Sequence, residues 1–362
     1  MPEIKAALCR AFGAPMTIEP VILRPPEGGE VEVALDAVAI CHSDISFVEG
    51  AWGGSLPVIA GHEAAGRILT VGPEVKGHLP GDRVVVTLIR ACGTCQSCAS
   101  GRPVACEMRG DEPPSPITLP DGTPVRQGMS TAAFAERVVV DQSQIGPVPD
   151  TVAMEAAALL ACGVITGVGA VVNTARVRPG QDVVVVGAGG VGLNAIQGAR
   201  IAGARRIVAV DLNEGRLAHA RTFGATDGLL VGHADPGAAL EALIGRRADA
   251  VIVTVGAIPA YNAAPDFLAP GGQVILVGMP HGGAEAKYVP VNLADAGQGM
   301  RGSRMGDAVI ARDIPWLVDL YMQDRLMLDE LISRRWAFED INAAMADTKA
   351  GGARRNVIVF DT

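Results

Sequence analysis

The segment DVVVVGAGGVG, residues 182–192, decides the fold class of this chain. The strand that it opens, residues 182–186, is apolar from Val183 onward, which is typical of strands that are buried on both faces of a sheet. The glycines that follow match the pattern G-x-G-x-x-G, and a stretch with helical spacing, residues 191–202, comes next. A strand, a glycine-rich turn and a helix in that order predict the opening unit of a doubly wound parallel sheet.

The alternation of strand and helix patterns continues beyond this segment. Strand-like apolar runs occupy residues 206–210, 248–253 and 273–278, and a helical pattern occupies residues 214–223. Strands that are apolar throughout and alternate with helices predict a parallel sheet that is covered on both faces.

The rest of the chain has a different pattern. Residues 1 to about 160 contain short strand-like runs, such as 31–35, 64–71 and 83–86, bounded by Gly and Pro, and read as mostly β. Beyond residue 305, helical spacing covers 307–326 and a closing strand covers 356–360. We therefore expect the parallel-sheet domain to be inserted late in the chain, with the C-terminal segment returning to the first domain.

The glycine-rich turn also predicts a ligand. Gly187 permits the tight turn, Gly189 lets the backbone approach a pyrophosphate, and Gly192 lets the helix pack closely against the strand. Asp211, at the end of the next strand, can accept hydrogen bonds from both ribose hydroxyls and would repel a 2′-phosphate, so NAD is favoured over NADP. The alternative is a tight turn that holds no ligand, with Asp211 capping a helix.

Composition and charge exclude several classes of protein. The 362 residues include 30 basic and 39 acidic side chains, and no run of Lys and Arg marks a nucleic-acid surface. Hydrophobic residues make up 49%, which excludes general disorder. The longest apolar run that we identify, residues 183–193, is far shorter than the ~20 residues of a membrane span, and no signal peptide is visible. We expect a soluble, cytoplasmic protein.

Four of the seven cysteines crowd into one short loop, with two residues between neighbours at first and seven before the last. Four thiolates at such spacing are typical of a closed, structural zinc site. An iron–sulfur cluster and a zinc-ribbon nucleic-acid module are the alternatives; the spacing departs from the bacterial ferredoxin run, and the acidic balance opposes nucleic-acid binding. The four residues are Cys92, Cys95, Cys98 and Cys106.

Three further segments carry possible metal ligands: Cys41-His42-Ser43-Asp44, Gly61-His62-Glu63, and Cys162. Two cysteines and a histidine are a known ligand set for a catalytic zinc, which keeps a fourth position open. The spacing of these residues in the sequence does not show whether they meet in space. The alternative role of a lone buried cysteine is that of a small, inert hydrophobic residue.

Taken together, these segments resemble the zinc-dependent medium-chain alcohol dehydrogenase family in its long, liver-type form, over nearly the whole chain. The resemblance implies an α/β protein with two domains: a mostly β, GroES-like catalytic domain, residues 1–163 and 305–362, with a structural zinc lobe at 90–108, and a Rossmann domain, residues 164–304. The segments that carry the resemblance are residues 41–44, 56–66 and 80–82, the four-cysteine loop, residues 161–163 with Thr166-Gly167, and residues 187–192 with Asp211.

The resemblance implies two zinc ions per chain, a catalytic one held by Cys41, His62 and Cys162 and a structural one in the four-cysteine loop. Three other positions act beside the catalytic metal: a carboxylate that approaches it during ligand exchange, the partner that orients the ligand histidine, and the hydroxyl that receives the alcohol proton. In this sequence they are Glu63, Asp44 and Ser43.

The resemblance also implies cofactor and substrate contacts. Positions that contact NAD in the family match Gly187, Gly189, Gly190, Val191, Gly192, Asp211, Arg216, His42, Thr166, Val277 and Arg355. Positions that line the substrate pocket, in the cleft between the domains, match Trp52, Leu88, Phe134 and Met279.

The activity implied is reversible oxidation of a primary or aromatic alcohol, a small molecule, by hydride transfer to NAD, in a homodimer or a tetramer. A dehydrogenase for thiol adducts such as S-hydroxymethylglutathione, and a non-catalytic NAD-binding zinc protein, are the alternatives. One position departs from the family pattern, and the role of another has two alternatives. Ser46 stands where many members carry the histidine of a proton relay, and Arg304 points either to an anionic substrate tail or to solvent or a phosphate.

Overall fold

The computed structural model describes residues 3–110, 114–232 and 235–360. The chain divides into two compact units. Unit 1 comprises Met1–Cys162 and Val309–Thr362, and unit 2 comprises Gly163–Ala308. These divisions lie near the boundaries expected from the sequence, 163/164 and 304/305.

The strands of the described residues range from two to ten residues in unit 1 and from four to nine residues in unit 2. In chain order they are β1 (Glu3–Cys9), β2 (Thr17–Leu23), β3 (Glu30–Ala39), β4 (Val58–Ile59), β5 (Ala64–Val71), β6 (Arg83–Val86), β7 (Ile117–Thr118), β8 (Arg126–Gln127), β9 (Arg137–Asp141), β10 (Ile145–Pro147), β11 (Asp182–Val186), β12 (Arg206–Asp211), β13 (Asp227–Leu230), β14 (Ala248–Val253), β15 (Leu268–Leu276), β16 (Gly299–Gly302), β17 (Ile332–Ala337) and β18 (Arg355–Val359).

The α-helices of the described residues are α1 (His42–Val48), α2 (Gln96–Ala99), α3 (Met154–Leu159), α4 (Ile165–Gly169), α5 (Gly190–Ile201), α6 (Glu214–Thr222), α7 (Pro236–Ile244), α8 (Ile258–Ala263), α9 (Pro290–Asp295), α10 (Ile310–Met322) and α11 (Ile341–Ala350). Helix α10 begins three residues later than the helical spacing predicted, because Asp307 adopts a left-handed and Ala308 and Val309 an extended backbone conformation.

Unit 1 is built on two sheets. One has the order β7-β2-β1-β4-β8, and the other has the order β10-β6-β5-β3-β18-β17, with β9 also paired to β3. Strand β3 is the centre of the second sheet and is buried along most of its length. Because β18 pairs antiparallel with β3, the C-terminal segment completes the sheet of the first part of the chain.

Unit 2 contains the predicted parallel sheet. All its strand pairs are parallel, and the order is β13-β12-β11-β14-β15-β16. Counted within the unit this is 3-2-1-4-5-6, the order of the Rossmann fold. The strand order reverses between β11 and β14, and ligands bind at the carboxyl ends of the strands at such a point. The predicted α/β class is confirmed, and the glycine-rich turn lies at that place, directly after β11.

One helical run, Met154–Ala175, is long and apolar enough to cross a membrane by length and composition. It contains α3, α4 and two π-helical stretches, Leu160–Val164 and Ala170–Ala175. Of its most apolar window, 89% is buried inside the protein, as in a core helix of a soluble protein. The sequence analysis did not single out this run.

Candidate active site

His62 is the centre of a buried polar cluster in unit 1. It lies between β4 and β5, and its Nδ1 is 2.9 Å from Oδ1 of Asp44. Both side chains are fully buried. Asp44 sits in the first turn of α1, where its two oxygens also accept the backbone N–H groups of Cys41 and Gly61, each at 3.0 Å. The carboxylate therefore fixes the start of α1 and the orientation of the imidazole together.

Cys41 and Cys162 meet at the other side of this imidazole. Cys41 is the residue before α1, and Cys162 lies in the π-helical stretch that follows α3. The Nε2 atom of His62 is 3.3 Å from Sγ of Cys162, and the three potential ligand atoms all lie within 4.8 Å of one another. Two thiols and one imidazole at this separation match the donor set of a tetrahedral zinc site with one open position. The structure thus brings together the three residues that spacing alone could not.

The electrostatics of this cluster favour a bound cation. The hydrogen bond with Cys162 is the largest cause that lowers the pKa of Cys41 well below its usual value, against the effect of burial. Burial disfavours a charged His62, but the charge and hydrogen bond of Asp44, with a contribution from Cys41, raise the pKa of the imidazole to about 10. The site therefore stabilises a positive charge among the sulfurs, which a divalent metal would supply in place of the proton.

Glu63 follows His62 directly and is also fully buried. It forms an ion pair with Arg355, at the start of β18, whose side chain is only 5% exposed. Both charges belong to unit 1, beside the cysteine and histidine cluster. The structure therefore joins a residue predicted beside the metal to one predicted beside the pyrophosphate.

The four-cysteine loop forms a second cluster. The sulfurs of Cys92, Cys95, Cys98 and Cys106 all lie within 4.8 Å of one another. Backbone N–H groups point at three of them: that of Cys95 at Sγ of Cys92 (3.3 Å), that of Cys98 at Sγ of Cys95 (3.5 Å), and that of Cys92 at Sγ of Cys106 (3.4 Å). Four thiolates with no further ligand type match a closed structural zinc site.

The pKa values in this loop differ between neighbours. The backbone N–H of Cys95 is the largest cause that lowers the pKa of Cys92 to about 6. Desolvation, with the neighbouring sulfurs, raises the pKa of Cys98 to about 12. Four thiolates cannot gather here without a cation, so the loop is suited to a metal that neutralises them.

The glycine-rich turn of unit 2 has the geometry that a bound dinucleotide needs. Gly187 has φ +95°, and a Cβ there would collide with Val255. A Cβ on Gly192 would collide with the carbonyl oxygen of Gly187. Gly189, which precedes α5, is different because a Cβ there would meet no atom within 4 Å. The space above Gly189, at the N-terminus of a helix, is therefore open to a phosphate.

Asp211 ends β12 beside this turn. Its Oδ2 accepts the N–H of Ala188 at 2.8 Å, and its Oδ1 accepts the N–H of Asn213 at 3.1 Å. Nη1 of Arg216 lies 3.8 Å from Oδ2. The carboxylate is thus held against the glycine-rich turn, where the prediction places the adenosine ribose.

The other predicted residues are distributed over both units. Ser43 and the relay position Ser46 are half-buried on α1, and His42 is exposed. In unit 2, Thr166 is buried, and its hydroxyl is 3.6 Å from the sulfur of Met305. Three other predicted cofactor contacts, Gly190, Val191 and Val277, are half-buried, and Arg304 is exposed. Of the predicted pocket residues, Trp52 and Leu88 are half-exposed in unit 1, Met279 is 64% exposed in unit 2, and Phe134 is fully buried in the core of unit 1.

The sequence analysis did not identify the role of Gly61. Its φ is +88°, and a Cβ there would collide with the backbone of Phe134. This conformation lets the N–H of Gly61 donate to Asp44 and turns the chain so that His62 faces the two cysteines. A glycine directly before a candidate ligand was the available signal.

Comparisons with known proteins agree with this geometry. Residues 27–150 match the model of the alcohol dehydrogenase GroES-like domain, and residues 190–323 match that of the zinc-binding dehydrogenase domain. A class-3 alcohol dehydrogenase from Cereibacter sphaeroides is 34% identical, covering 98% of this chain and 99% of the relative. The chain belongs to the zinc-dependent medium-chain alcohol dehydrogenase family.

Two other members of this family extend the comparison. A geraniol dehydrogenase from Castellaniella defragrans is 34% identical, covering 98% of this chain and 97% of the relative. The crystal structure of a benzyl alcohol dehydrogenase from Acinetobacter calcoaceticus is 30% identical, with a TM-score of 0.93 and complete coverage of both chains. The alcohol dehydrogenase fold of the chain, a GroES-like domain with a Rossmann domain, is thereby established.

Proposed function

We propose that this alcohol dehydrogenase oxidises a primary or aromatic alcohol reversibly to the aldehyde, with NAD as the hydride acceptor. The observation that carries the proposal is the convergence of Cys41, His62 and Cys162 within 4.8 Å, with Asp44 on the far side of the imidazole. A structural site alone would not need the open fourth position that this three-ligand set leaves.

Both cysteine clusters fit zinc. We assign the catalytic zinc to Cys41, His62 and Cys162, with Glu63 as a carboxylate beside it, and the structural zinc to the four-cysteine loop. When bound, the catalytic zinc supplies a Lewis acid that lowers the pKa of a hydroxyl group in the way that it lowers that of water. The hydrogen bond to Asp44 keeps a proton on Nδ1 of His62, so Nε2 would be the nitrogen that binds the metal.

Ser43 is proposed to receive the proton of the alcohol while its own hydroxyl proton passes on, since a serine hydroxyl does not hold an extra proton at neutral pH. It lies two residues after Cys41, in the first turn of α1, and is half-buried. Ser46, one helical turn further along α1, has no basic group to take that proton at neutral pH. We therefore propose that the proton leaves through water or the cofactor ribose rather than through a histidine.

NAD is proposed to bind unit 2 at the glycine-rich turn. The open space above Gly189 accepts the pyrophosphate, and Asp211 accepts the ribose hydroxyls and disfavours a 2′-phosphate. We keep the remaining predicted cofactor contacts as part of the proposal; they are His42, Thr166, Gly190, Val191, Val277, Arg216 and Arg355.

The names of relatives support the class of substrate. One relative is a geraniol dehydrogenase and another a benzyl alcohol dehydrogenase, and geraniol and benzyl alcohol are both primary alcohols with an unsaturated group next to the carbinol. We propose an alcohol of this kind, with Trp52, Leu88, Phe134 and Met279 as the predicted pocket residues. A cytoplasmic homodimer, or a tetramer, remains our expectation for the assembly.

A steady-state assay tests the proposal. Purified protein is given benzyl alcohol and NAD, and the reduced cofactor is followed by absorbance. We expect turnover that is lost, by about a thousandfold or more, in a His62→Ala variant. Cys9→Ser is the matched control, since Cys9 is a buried free cysteine outside both clusters. Full turnover by His62→Ala, or none by the zinc-loaded native protein with any of benzyl, aliphatic and terpenoid alcohols, would overturn it.

A further inference from the structure

Arg126 is a half-buried cation of unit 1 that forms no ion pair with any carboxylate in residues 3–110, 114–232 and 235–360. Its Nη1 donates only a long hydrogen bond, 3.5 Å, to the carbonyl oxygen of Gly53. By contrast, Arg24, Arg137 and Arg355 each pair with a glutamate. A partly desolvated guanidinium without a carboxylate keeps its capacity for a two-pronged contact with an anion.

Aromatic rings and the backbone of two glycines lie around this guanidinium. Its central carbon is 5.3 Å from the ring centroid of Phe47, and the ring of Trp52 is 6.5 Å from that of Phe47. Trp52 is 36% exposed. Gly54 lies against Nη1, where a Cβ would collide with it. These residues, Phe47, Trp52, Gly53, Gly54 and Arg126, form what we call the Arg126 surface, which offers a cation beside aromatic faces.

The Arg126 surface is next to the proposed catalytic residues. Phe47 lies on α1 four residues after Ser43, which corresponds to a rise of about 6 Å. Strand β8, which carries Arg126, pairs with β4, and β4 leads directly to His62. The guanidinium of Arg126 therefore packs on a ring that lies one helical turn from Ser43.

We propose that Arg126 binds a carboxylate carried by the substrate, at the end of an aromatic ring opposite the carbinol. With carbon–carbon bonds of roughly 1.5 Å, the carbinol and carboxylate carbons of a para-substituted ring are about 6 Å apart. A charge-assisted hydrogen bond adds about 2.8 Å, so a substrate of this length reaches roughly 9 Å from its carbinol carbon to the guanidinium. The inference rests on the proposed function and narrows its substrate class to (hydroxymethyl)benzoates and their homologues.

The carboxylate takes no part in the redox step. In the proposed reaction the carbinol carbon would give one hydride to bound NAD, the hydroxyl proton would pass by way of Ser43 to water, and the product would be the aldehyde with the carboxylate unchanged. Arg126 therefore acts on the choice of substrate, through the binding energy of the anion, and not on the transfer itself.

Paired substrates test this assignment. para-(Hydroxymethyl)benzoate is compared with its uncharged analogue para-methylbenzyl alcohol through the ratio of their kcat/KM values. We expect the native enzyme to favour the carboxylate by about tenfold or more, which is the range of a hydrogen bond to a charged group. Arg126→Met should remove the preference, Arg126→Lys should keep part of it, and the control Arg137→Met should leave the ratio unchanged. A native ratio near one, or an equal loss for both substrates in Arg126→Met, overturns the inference.

A binding measurement separates this inference from the proposed function. para-Methylbenzoate carries the anion but no carbinol, and isothermal titration calorimetry reports its binding without turnover. Binding that requires Arg126 in a protein that oxidises neither alcohol would sustain the anion site and reject the proposed activity. Oxidation of both alcohols with no binding of para-methylbenzoate would sustain the activity and reject the anion site.

Discussion

The Nδ1 atom of His62 and the Oδ1 atom of Asp44 lie 2.9 Å apart, and both side chains are fully buried. This contact fixes the tautomer of the imidazole. The Nδ1 proton is directed at the carboxylate, and Nε2 faces the two sulfurs, where a metal would take the place of its proton. The protein therefore orients His62 as a metal ligand by means of Asp44, which lies in the first turn of α1, the helix that follows Cys41.

Replacement of Asp44 by Asn should weaken zinc binding at this cluster by about 10- to 100-fold, since partners of metal-bound histidines contribute on that scale. The amide keeps the size of the side chain but removes the charge that orients and polarises His62. Competition with a chromophoric chelator measures the affinity. Asp182→Asn is the matched control, because Asp182 is equally buried but pairs with Arg205 in unit 2. Equal zinc affinity in Asp44→Asn and the native protein would refute this role.

Metal analysis of two variants should separate the two clusters. We expect two zinc ions per chain in the native protein and one in each of His62→Ala and Cys98→Ala. The first variant should lose activity, because its site is catalytic. The second should lose several degrees of Tm, because metal binding to the four-cysteine loop contributes folding energy. An unchanged zinc content in Cys98→Ala would contradict the assignment of the loop.

The fold of unit 2 could be predicted more closely than that of unit 1. Strands β11 and β14 match the expected limits because buried parallel strands are continuous apolar runs that end sharply. Strand β16 was missed, since the sequence Gly-Met-Arg-Gly has no strand pattern and is held by its pairing with β15. In unit 1, the sheet order depends on long-range pairs such as β3 with β18, which no local pattern encodes.

The candidate site shows the same limit. The four-cysteine loop could be identified from spacing because its ligands are close in sequence. The convergence of Cys41, His62 and Cys162 needed a resemblance, since three separate elements bring them together. The ion pair between Glu63 and Arg355 was not foreseen, because the two residues were assigned to different ligands.

Two glycines of the dinucleotide turn should respond differently to alanine. Gly189→Ala adds a methyl group that meets no protein atom within 4 Å, so Tm should stay unchanged while the KM for NAD rises about tenfold or more. Gly192→Ala drives its methyl group into the Gly187 carbonyl and should lower the free energy of unfolding by about 1–3 kcal/mol. Thermal melts and cofactor titrations check both. An unchanged KM in Gly189→Ala would argue against a pyrophosphate at this turn.

Asp211→Asn should shift the cofactor preference towards NADP. The carboxylate disfavours a 2′-phosphate through like-charge repulsion, so its neutralisation should change the ratio of kcat/KM for NAD to that for NADP by about tenfold or more. Asp227→Asn, on the neighbouring strand β13 and paired with Arg206, should leave the ratio unchanged. A native enzyme that already prefers NADP would overturn the argument from Asp211.

Removing one partner of the Glu63–Arg355 ion pair should destabilise the protein more than removing both partners. Glu63→Gln leaves the guanidinium of Arg355 buried without its counter-charge, at a cost of about 3–5 kcal/mol in the free energy of unfolding. Replacement of both residues, Glu63→Gln with Arg355→Met, removes the buried charges together and should recover most of that loss. Urea unfolding of both variants and of the native protein measures the difference.

The same pair of variants separates stability from cofactor binding. If Arg355 also contacts the pyrophosphate, the double variant should keep a raised KM for NAD even though its stability recovers, because the cation itself is gone. Lys349→Met is the control, since Lys349 pairs with Glu49 at the surface and breaking that pair should cost at most about 1 kcal/mol. A double variant with both stability and the KM for NAD restored would limit Arg355 to neutralising Glu63, because no cationic contact with the cofactor would then be needed.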